Sequence, residues 1–388
     1  MFALFHRGYW LVASLYLVID ADLSAFRLVV IGVAQGLIAL VCEVPAGVVA
    51  DTVSRKWSLV IAHLLMGTAI VITGTVTAYP ALVVTQMLWG VAWTFVSGAD
   101  VAWVTDELND DVRIDRVLAS AARWEAVGSA VGLVVFGALA WAADRGTSII
   151  VAGVAIIVLG AIVAAGFPER HFVPATNARW QASRAILLAG ARLARHDHEI
   201  VLVLAATFLV NGAAEVFGRL YAKRLVALGL PRHPDPIVWY TMLGLAMLLA
   251  GALVLRLVET RIDGAGMARR SYVGACVVGA VGMLVLAHAP NGPTAAAGVL
   301  LVGGLSLTLL RLVGTIWVNR RTASDVRATV HSFLAQAEYL GEIIVGFSLA
   351  LLARATTVTV ALTGAAFVMV AAAVLVSSRS TSSRRSRK

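Results

Sequence analysis

The sequence predicts an all-α membrane protein in which twelve transmembrane helices form two six-helix pseudo-repeats. Of its 388 residues, 60% are hydrophobic and only 14% are charged, and its mean hydropathy is +0.87. A soluble domain carries about 25% charged residues, so a water-soluble globule is excluded. Twelve apolar runs are long enough to cross a bilayer, which takes about 20 residues. They must be helices, because the hydrocarbon core offers a bare backbone no hydrogen-bond partners.

The apolar runs are numbered as spans 1 to 12 in chain order. They cover residues 1–19, 25–50, 57–77, 81–104, 119–143, 148–167, 200–222, 236–257, 271–288, 294–317, 329–353 and 356–377. Span 1 starts at Met1 without a polar lead-in, which suggests that the first residues of this helix are missing from the sequence. Cys42 and Cys276 each lie inside an apolar run, so we expect two small core residues rather than a disulfide.

The basic residues predict the orientation. The net charge is +9, but the bases are spread over the links between spans, which is typical of a polytopic membrane protein and not of a nucleic-acid binder. If the link between spans 2 and 3 is cytoplasmic, most arginines and lysines of the links fall on the cytoplasmic side. We therefore expect both termini to be cytoplasmic.

The spans divide into two bundles joined by a linker. We expect an N-terminal six-helix bundle over 1–167, a cytoplasmic linker over 168–199, a C-terminal bundle over 200–377 and a basic tail over 378–388. Arg184, Arg192 and Arg195 share one face of a helix in the linker, which favours an interfacial helix on anionic lipid. The alternative is a solvated charged linker.

An internal repeat supports the two bundles. Arg123-Trp124-Glu125-Ala126-Val127-Gly128 opens span 5, and the similar Gln336-Ala337-Glu338-Tyr339-Leu340-Gly341 opens span 11, 213 residues later. Each segment follows a link that carries Asp and Arg. The separation is close to half the chain, as expected for two parallel repeats.

A glycine, an acid and two bases lie between spans 2 and 3. Gly47, Asp51, Arg55 and Lys56 fit the pattern G-x-x-x-D-(R/K)-x-G-R-(R/K). The chain departs from it at Thr52, where a base is usual, and at Ser54, where glycine is usual. On these residues the chain resembles the major facilitator superfamily of secondary transporters. The lead-in Glu43-Val44-Pro45-Ala46-Gly47 resembles a subset of bacterial drug exporters.

The resemblance implies that this link is a conformational latch. Asp51 would face the start of span 11, near Arg327–Ser332, where a helix N-terminus attracts negative charge. Arg55 would pair with Asp100 or Asp106 near the end of span 4. The alternative is a link that only sets topology.

The family fold also implies which spans line the substrate cavity, namely 1, 4, 7 and 10. The candidate cavity residues are then Arg7, Trp10, Trp89, Trp93, Asn211, Glu215 and Arg311. Tryptophans combined with a few charges suit amphipathic, aromatic or cationic compounds. The alternative for each tryptophan is ordinary packing or a place in the interfacial belt.

Acids inside spans are costly and are functional candidates by default. The candidates for proton coupling are Asp100, Glu125, Glu215, Glu338 and Glu342. No G-x-x-x-x-G-K-(S/T) loop occurs, so the sequence gives no support to nucleotide-driven transport. Two departures weaken the analogy with proton antiporters: Gln86 stands where the family's span 4 signature has arginine, and no proline follows Gly128 in span 5.

These observations leave three hypotheses. The favoured one is a proton-driven exporter of small amphipathic compounds, and the second is a transporter of a specific metabolite, siderophore or sugar-like solute. The third is a membrane-embedded enzyme or receptor, which would need a catalytic cluster that the sequence does not show, so we expect no enzyme. We expect no cofactor and no metal. His196 and His198 are two apart and would face different directions on a helix.

Residue usage predicts the location. Arginine outnumbers lysine, and alanine, valine and glycine abound, as in proteins of GC-rich bacteria. We expect a multi-pass protein of the bacterial cytoplasmic membrane. Its predicted partners are a small-molecule substrate, protons and lipid, without nucleic acid, and it is expected to act as a monomer.

Overall fold

The structure, a computed structural model, describes residues 1–108, 110–174, 198–231, 233–259, 265–321 and 324–378. These residues form helices and no strand. Among them, twelve helices are long and apolar enough to cross a membrane. The predicted all-α fold with twelve spans is therefore confirmed, and the chain is a multi-pass membrane protein.

The helices of spans 1 to 6 run over Phe2–Ile19, Ala25–Thr52, Arg55–Thr75, Tyr79–Val96 with Ala99–Leu108, Asp111–Ala142 and Arg145–Gly166. Those of spans 7 to 12 run over His198–Ala227, Pro236–Glu259, Ala265–His288, Gly292–Val299 with Leu307–Arg321, Ser324–Ala355 and Val358–Ser378. Span 4 breaks at Gly98, whose φ of 77° lies in the left-handed region that glycine adopts without steric cost. In span 10 the two α-helices are joined by a π-helix, Leu300–Ser306.

The chain folds into two compact units that do not simply follow the order of the spans. Among the described residues, unit 1 contains 1–23, 34–174 and 231–244, and unit 2 contains 24–33, 198–230 and 245–378. The first part of span 2 therefore packs with the later spans, and the first part of span 8 packs with the earlier ones.

Glycines allow close helix packing inside each unit. In unit 1, a Cβ at Gly67 of span 3 would lie 2.7 Å from the Gly153 carbonyl oxygen of span 6. In unit 2, a Cβ at Gly341 of span 11 would collide with the Phe208 carbonyl of span 7. A Cβ at Gly128, the counterpart of Gly341 in the predicted repeat, would lie 3.5 Å from the Leu4 backbone nitrogen of span 1. Both repeat glycines thus face the backbone of the first span of their own half of the sequence, span 1 for Gly128 and span 7 for Gly341.

The predicted link over Gly47–Lys56 is much shorter in the structure. Span 2 continues as a helix to Thr52 and span 3 begins at Arg55. Ser54 has an extended backbone, and its hydroxyl accepts a hydrogen bond from the Trp57 N–H. This is a helix N-cap, which serine favours because its oxygen satisfies a free N–H of the first turn. The departure from glycine at position 54 therefore has a structural role.

Several predictions lie outside the described residues. These are the linker helix with Arg184, Arg192 and Arg195, the side chains of His196 and His198, the side chain of Arg327, and the tail beyond Ser378. Cys42 and Cys276 are both free thiols.

Candidate functional site

Unit 2 contains a cavity of about 260 Å³ between spans 7, 9, 10 and 11. Its wall carries Arg311, Asn211 and Glu338 from the sequence-based candidates. Its lining also includes Thr207, Tyr272, Thr315 and His331. A concave site with a few convergent polar groups among apolar ones is the usual form of a small-molecule site. Two predicted cavity residues and one predicted proton-coupling residue therefore face the same space.

Arg311 and Glu338 come to this cavity from neighbouring spans. Both side chains are exposed to the open space, and they are close enough to interact electrostatically. Among the described residues, neither side chain forms a direct ion pair. Asn211 uses its amide nitrogen to donate to the Thr207 carbonyl at 3.0 Å, which holds its side chain against its own helix.

The π-helix of span 10 immediately precedes the turn that carries Arg311. Leu300–Ser306 is wound as a π-helix and α-helix resumes at Leu307. π-Helical turns inside α-helices are rare and frequent at functional sites. Ser306, at the end of this segment, is fully buried and donates a hydrogen bond to the Ala275 carbonyl of span 9 at 2.7 Å. This contact fixes the register of span 10 just before Arg311.

Glu215, a further predicted cavity and proton-coupling residue, forms an ion pair within span 7. Arg219 Nε donates to Glu215 Oε1 at 2.8 Å, and both side chains are less than 15% exposed. Glu342 of span 11 is near enough to interact electrostatically with both partners and with Glu338. The pair lies beside Gly32 of span 2, where a Cβ would collide with the Glu215 carboxylate. Unit 2 thus holds three of the predicted acids in one charged network.

The predicted tryptophans cluster in unit 1. The rings of Trp89 and Trp93 stack at 5.5 Å with an angle of 8°, and His6 stacks on both. Trp10 donates its indole N–H to His6 Nε2 at 3.1 Å and meets Trp89 edge-on. Trp89 is only 6% exposed, whereas Trp10 and Trp93 are half-buried and Arg7 is exposed. His6 ties the three tryptophans together, a role that the sequence analysis missed.

The predicted latch lies in unit 1. Arg55 forms an ion pair with Asp106, and it also donates to the Ala102 carbonyl at 2.9 Å. Its Nη2 is 3.8 Å from Asp51. Of the two acids predicted for Arg55, the structure selects Asp106. Asp100 is exposed and accepts a hydrogen bond from the Val101 N–H instead, because it lies at the start of the second helix of span 4.

The predicted latch residues Gly47 and Lys56 also lie in unit 1. Gly47 lies inside the helix of span 2, and the Lys56 N–H donates to Glu169 Oε1 at 2.9 Å. Glu125, the last predicted acid, is exposed on span 5.

A segment that the sequence analysis assigned to the end of span 6 and the start of the linker contacts the predicted latch. We call Phe167–Val173 the clasp. Glu169 accepts from the Ser54 hydroxyl at 2.6 Å as well as from the Lys56 N–H. Glu107 in turn accepts from the N–H groups of Arg170 and His171 at 2.6 and 3.1 Å. The clasp therefore joins the end of span 6 to the start of span 3 and the end of span 4.

Aromatic contacts reinforce the clasp. Trp103 stacks on Phe167 at 4.6 Å and donates its indole N–H to the Pro168 carbonyl at 2.9 Å. The Arg55 guanidinium lies over the Phe172 ring at 5.9 Å, within the range of a cation–π contact. The signal available in the sequence was Pro168-Glu169-Arg170 directly after span 6, an acid at the end of a span that needed a basic or N–H partner.

The other end of unit 1 has its own ionic cluster. Arg145 binds Asp20 with two hydrogen bonds of 2.5 and 3.1 Å, and its Nη1 is 3.9 Å from Asp235 before span 8. Beside it, Asp144 caps the helix of span 6 by accepting from the hydroxyl and the N–H of Thr147. These hydrogen bonds hold the pKa of the Asp144 carboxyl below its ordinary value. Residues from both halves of the sequence thus meet at Arg145.

The comparison with protein families gives the same assignment as the pattern between spans 2 and 3. The family model described as the Major Facilitator Superfamily matches residues 1–346. The chain belongs to the Major Facilitator Superfamily. The prediction made from Gly47, Asp51, Arg55 and Lys56 is confirmed, and the members of this superfamily are transporters, not enzymes.

Solved structures agree with this superfamily fold. A variant of the nucleoside transporter NupG is similar with a TM-score of 0.78 and 15% identity, over 97% of this chain and 96% of that chain. A second NupG structure gives 0.74 and 16%, over 97% and 96%. A D-xylose-proton symporter gives 0.68 and 13%, over 96% and 95%. No curated protein matches the sequence.

Proposed function

We propose that this superfamily member is a proton-coupled secondary transporter of a small polar solute, which binds in the cavity of unit 2. The carrying observation is that Arg311, Asn211 and Glu338 line one cavity of about 260 Å³. Charged groups at membrane depth are expensive and are retained where they bind solute or ions. The similar solved structures, of a nucleoside transporter and a sugar–proton symporter, are compatible with polar solutes.

Proton coupling rests on the acids of unit 2. Glu215, Glu338 and Glu342 interact electrostatically in one network with Arg219 and Arg311. Adding a proton to one of these acids changes the net charge of the network, and so changes which ion pairs are stable. A proton gradient can then bias the conformations through which the solute passes, which is the general requirement for coupling.

We further propose that the protein lies in the bacterial cytoplasmic membrane as a monomer, with both termini and the clasp on the cytoplasmic side. The support is the distribution of basic residues among the links. Arg55, Lys56, Arg170 and Arg269 belong to the proposed cytoplasmic side.

The test is uptake into proteoliposomes that contain the purified protein. A panel of labelled nucleosides, sugars, organic acids and cationic dyes would be tested with and without an imposed pH gradient. We expect at least one polar solute to accumulate only with the gradient, and a protonophore to abolish this. Arg311→Gln should remove the accumulation, whereas Arg123→Gln, an exposed site on span 5, should retain it. Uptake of every solute at the rate of empty liposomes would contradict the proposal.

Proton-driven export of small amphipathic compounds is the second candidate. The observation in its favour is the aromatic cluster of unit 1, where Trp10, Trp93 and His6 present half-buried rings. Such rings stack on flat or cationic compounds. Efflux-deficient bacteria that express the protein should then accumulate less of a cationic dye, and a protonophore should restore accumulation. Equal accumulation at matched expression would remove this candidate.

A further inference from the structure

Among the described residues, the guanidinium of Arg311 has no direct anionic partner. Arg311 nevertheless lies in a membrane-spanning helix and lines a cavity. Glu338 stands across the cavity near enough to balance its charge electrostatically but forms no ion pair with it. Two other arginines of unit 2 are directly bound: Arg219 to Glu215, and Arg269 to Glu199 and the Val376 carbonyl. Arg311 therefore differs from them in having its hydrogen-bonding edge open to the cavity.

An arginine in such a position matches one chemical group well. Guanidinium presents parallel N–H donors that bind a carboxylate with two charge-assisted hydrogen bonds. The polar groups that line the cavity beside Arg311 and Glu338 include Asn211, Thr207 and Thr315, which can bind hydroxyl or amide groups of a solute.

Charge balance links such a solute to a proton. With Glu338 ionised, the empty cavity holds one positive charge on Arg311 and one negative charge on Glu338. A carboxylate bound to Arg311 would add a second negative charge, which is costly at membrane depth. If the Glu338 carboxylate takes up one proton from the aqueous solution as the solute enters, the loaded cavity is neutral again. No covalent bond in the solute is made or broken.

We propose that the solute is a small organic monoanion whose carboxylate binds Arg311, and that Glu338 carries the proton that enters with it. This deepens the proposed function and rests on it. The charged or titratable groups around Glu338 are Arg311 on span 10, Tyr272 on span 9, and His331 and Glu342 on span 11. Of these, Arg311 is the one that a carboxylate would neutralise directly, and this releases Glu338 to accept a proton.

The experiment compares carboxylates with neutral analogues of the same skeleton. Proteoliposomes containing an internal pH dye would receive lactate or lactamide, benzoate or benzamide, and gluconate or sorbitol, with the signal of empty liposomes subtracted. We expect at least one carboxylate to drive proton entry that increases as external pH falls, and its neutral analogue to drive none.

Two variants separate the roles of the two residues. Arg311→Gln should weaken binding of that carboxylate on the order of 10- to 100-fold, as expected for the loss of charge-assisted hydrogen bonds, and Arg311→Lys should restore only part of it. Glu338→Gln should still be stabilised against heat by the carboxylate but should show no proton entry with it. The control is Asp22→Asn, an exposed acid with a φ of 42°, where asparagine is well tolerated.

The outcomes distinguish the inference from the function on which it rests. Proton entry driven by neutral or cationic solutes, with none driven by carboxylates, would overturn the inference and retain proton-coupled transport. Proton entry with a carboxylate that persists unchanged in Glu338→Gln would also overturn it. If no solute of any charge drives proton movement, the proposed function fails as well.

Discussion

Glu169 accepts a hydrogen bond of 2.6 Å from the Ser54 hydroxyl, although 115 residues separate them in the chain. This contact places the carboxylate of the clasp at the N-terminus of span 3, where it also receives the Lys56 N–H. A negative charge at a helix N-terminus is favourable because the free N–H groups there carry partial positive charge. The link between spans 2 and 3 is thus held both by Arg55 and by the chain that leaves span 6.

The clasp predicts a specific effect for Glu169→Gln. The variant keeps one acceptor oxygen but loses the charge that binds two donors, so we expect the melting temperature of the purified protein to fall by roughly 1–3 °C. Transport should slow with it if the clasp governs the latch. Both are measured on detergent-purified and reconstituted protein.

Arg170→Ala is the matched control for the clasp. Arg170 contributes its backbone N–H to Glu107, and alanine retains that group. The account of the clasp is wrong if Arg170→Ala destabilises the protein as much as Glu169→Gln does.

The latch predicts that Asp106, rather than Asp100, is the partner of Arg55. Asp106→Asn should lower the transport rate several-fold at equal expression, because the ion pair is lost and a guanidinium that is 20% exposed keeps only its weaker contacts. The double variant Arg55→Gln with Asp106→Asn should be no worse than the more damaging single change, since two residues in one interaction are not additive. If the effects of the two changes are strictly additive, or if Asp100→Asn has the stronger effect, Asp106 is not the partner of Arg55.

The cluster at Arg145 predicts that Asp20 and Asp235 contribute unequally to thermal stability. Asp20 receives two hydrogen bonds and Asp235 lies 3.9 Å away, so Asp20→Asn should lower thermal stability more than Asp235→Asn. Arg145→Lys keeps the charge but cannot bind Asp20 bidentately. We therefore expect it to lower thermal stability about as much as Asp20→Asn does. The measurement is a thermal unfolding series at low and high salt, since salt screens partly exposed pairs. A larger loss with Asp235→Asn would reverse the proposed order.

Gly32 predicts the sharpest steric effect. A Cβ at this position would collide with the Glu215 carboxylate and lie 2.6 Å from Arg219 Nε, so Gly32→Ala should disturb the ion pair and reduce proton-coupled uptake at least several-fold. Gly218→Ala is the control, because a Cβ there meets nothing within 4 Å and alanine favours the helix. Unchanged uptake in Gly32→Ala, with both variants equally expressed, would show that the packing of span 2 on Glu215 is unimportant.

Much of the fold could be predicted because the bilayer restricts the choices. Apolar length identifies spans, and hydrogen-bonding demand makes them helices. The break of span 4 at Gly98 and the π-helix over Leu300–Ser306 were not predicted, because both depend on local packing that an apolar run does not reveal. The extension of the span 2 helix to Thr52 and the start of the span 3 helix at Arg55 were also missed. Apolar length does not mark these ends, because a helix can continue through polar residues outside the hydrocarbon core.

The roles predicted for the candidate site stay predictions, although polar residues inside spans indicated three side chains that the structure brings to one cavity. Arg311, Asn211 and Glu338 were singled out on chemical or family grounds, and the structure places them on one cavity. The roles of His6, Glu169 and Glu107 were missed, because each depends on partners distant in the chain. Asp100 and Asp106 could not be separated by sequence, since both lie near the end of span 4, and only the structure shows that Arg55 pairs with Asp106.

Solute-driven proton movement in proteoliposomes tests the central claim most directly, with the wild type, Arg311→Gln and Arg123→Gln compared at equal protein content. If the cavity of unit 2 binds the solute of a proton-coupled transporter, the wild type and Arg123→Gln will show proton entry when the solute is added, and Arg311→Gln will show little or none. Equal proton entry in all three proteins, or none above empty liposomes in any, would contradict the account.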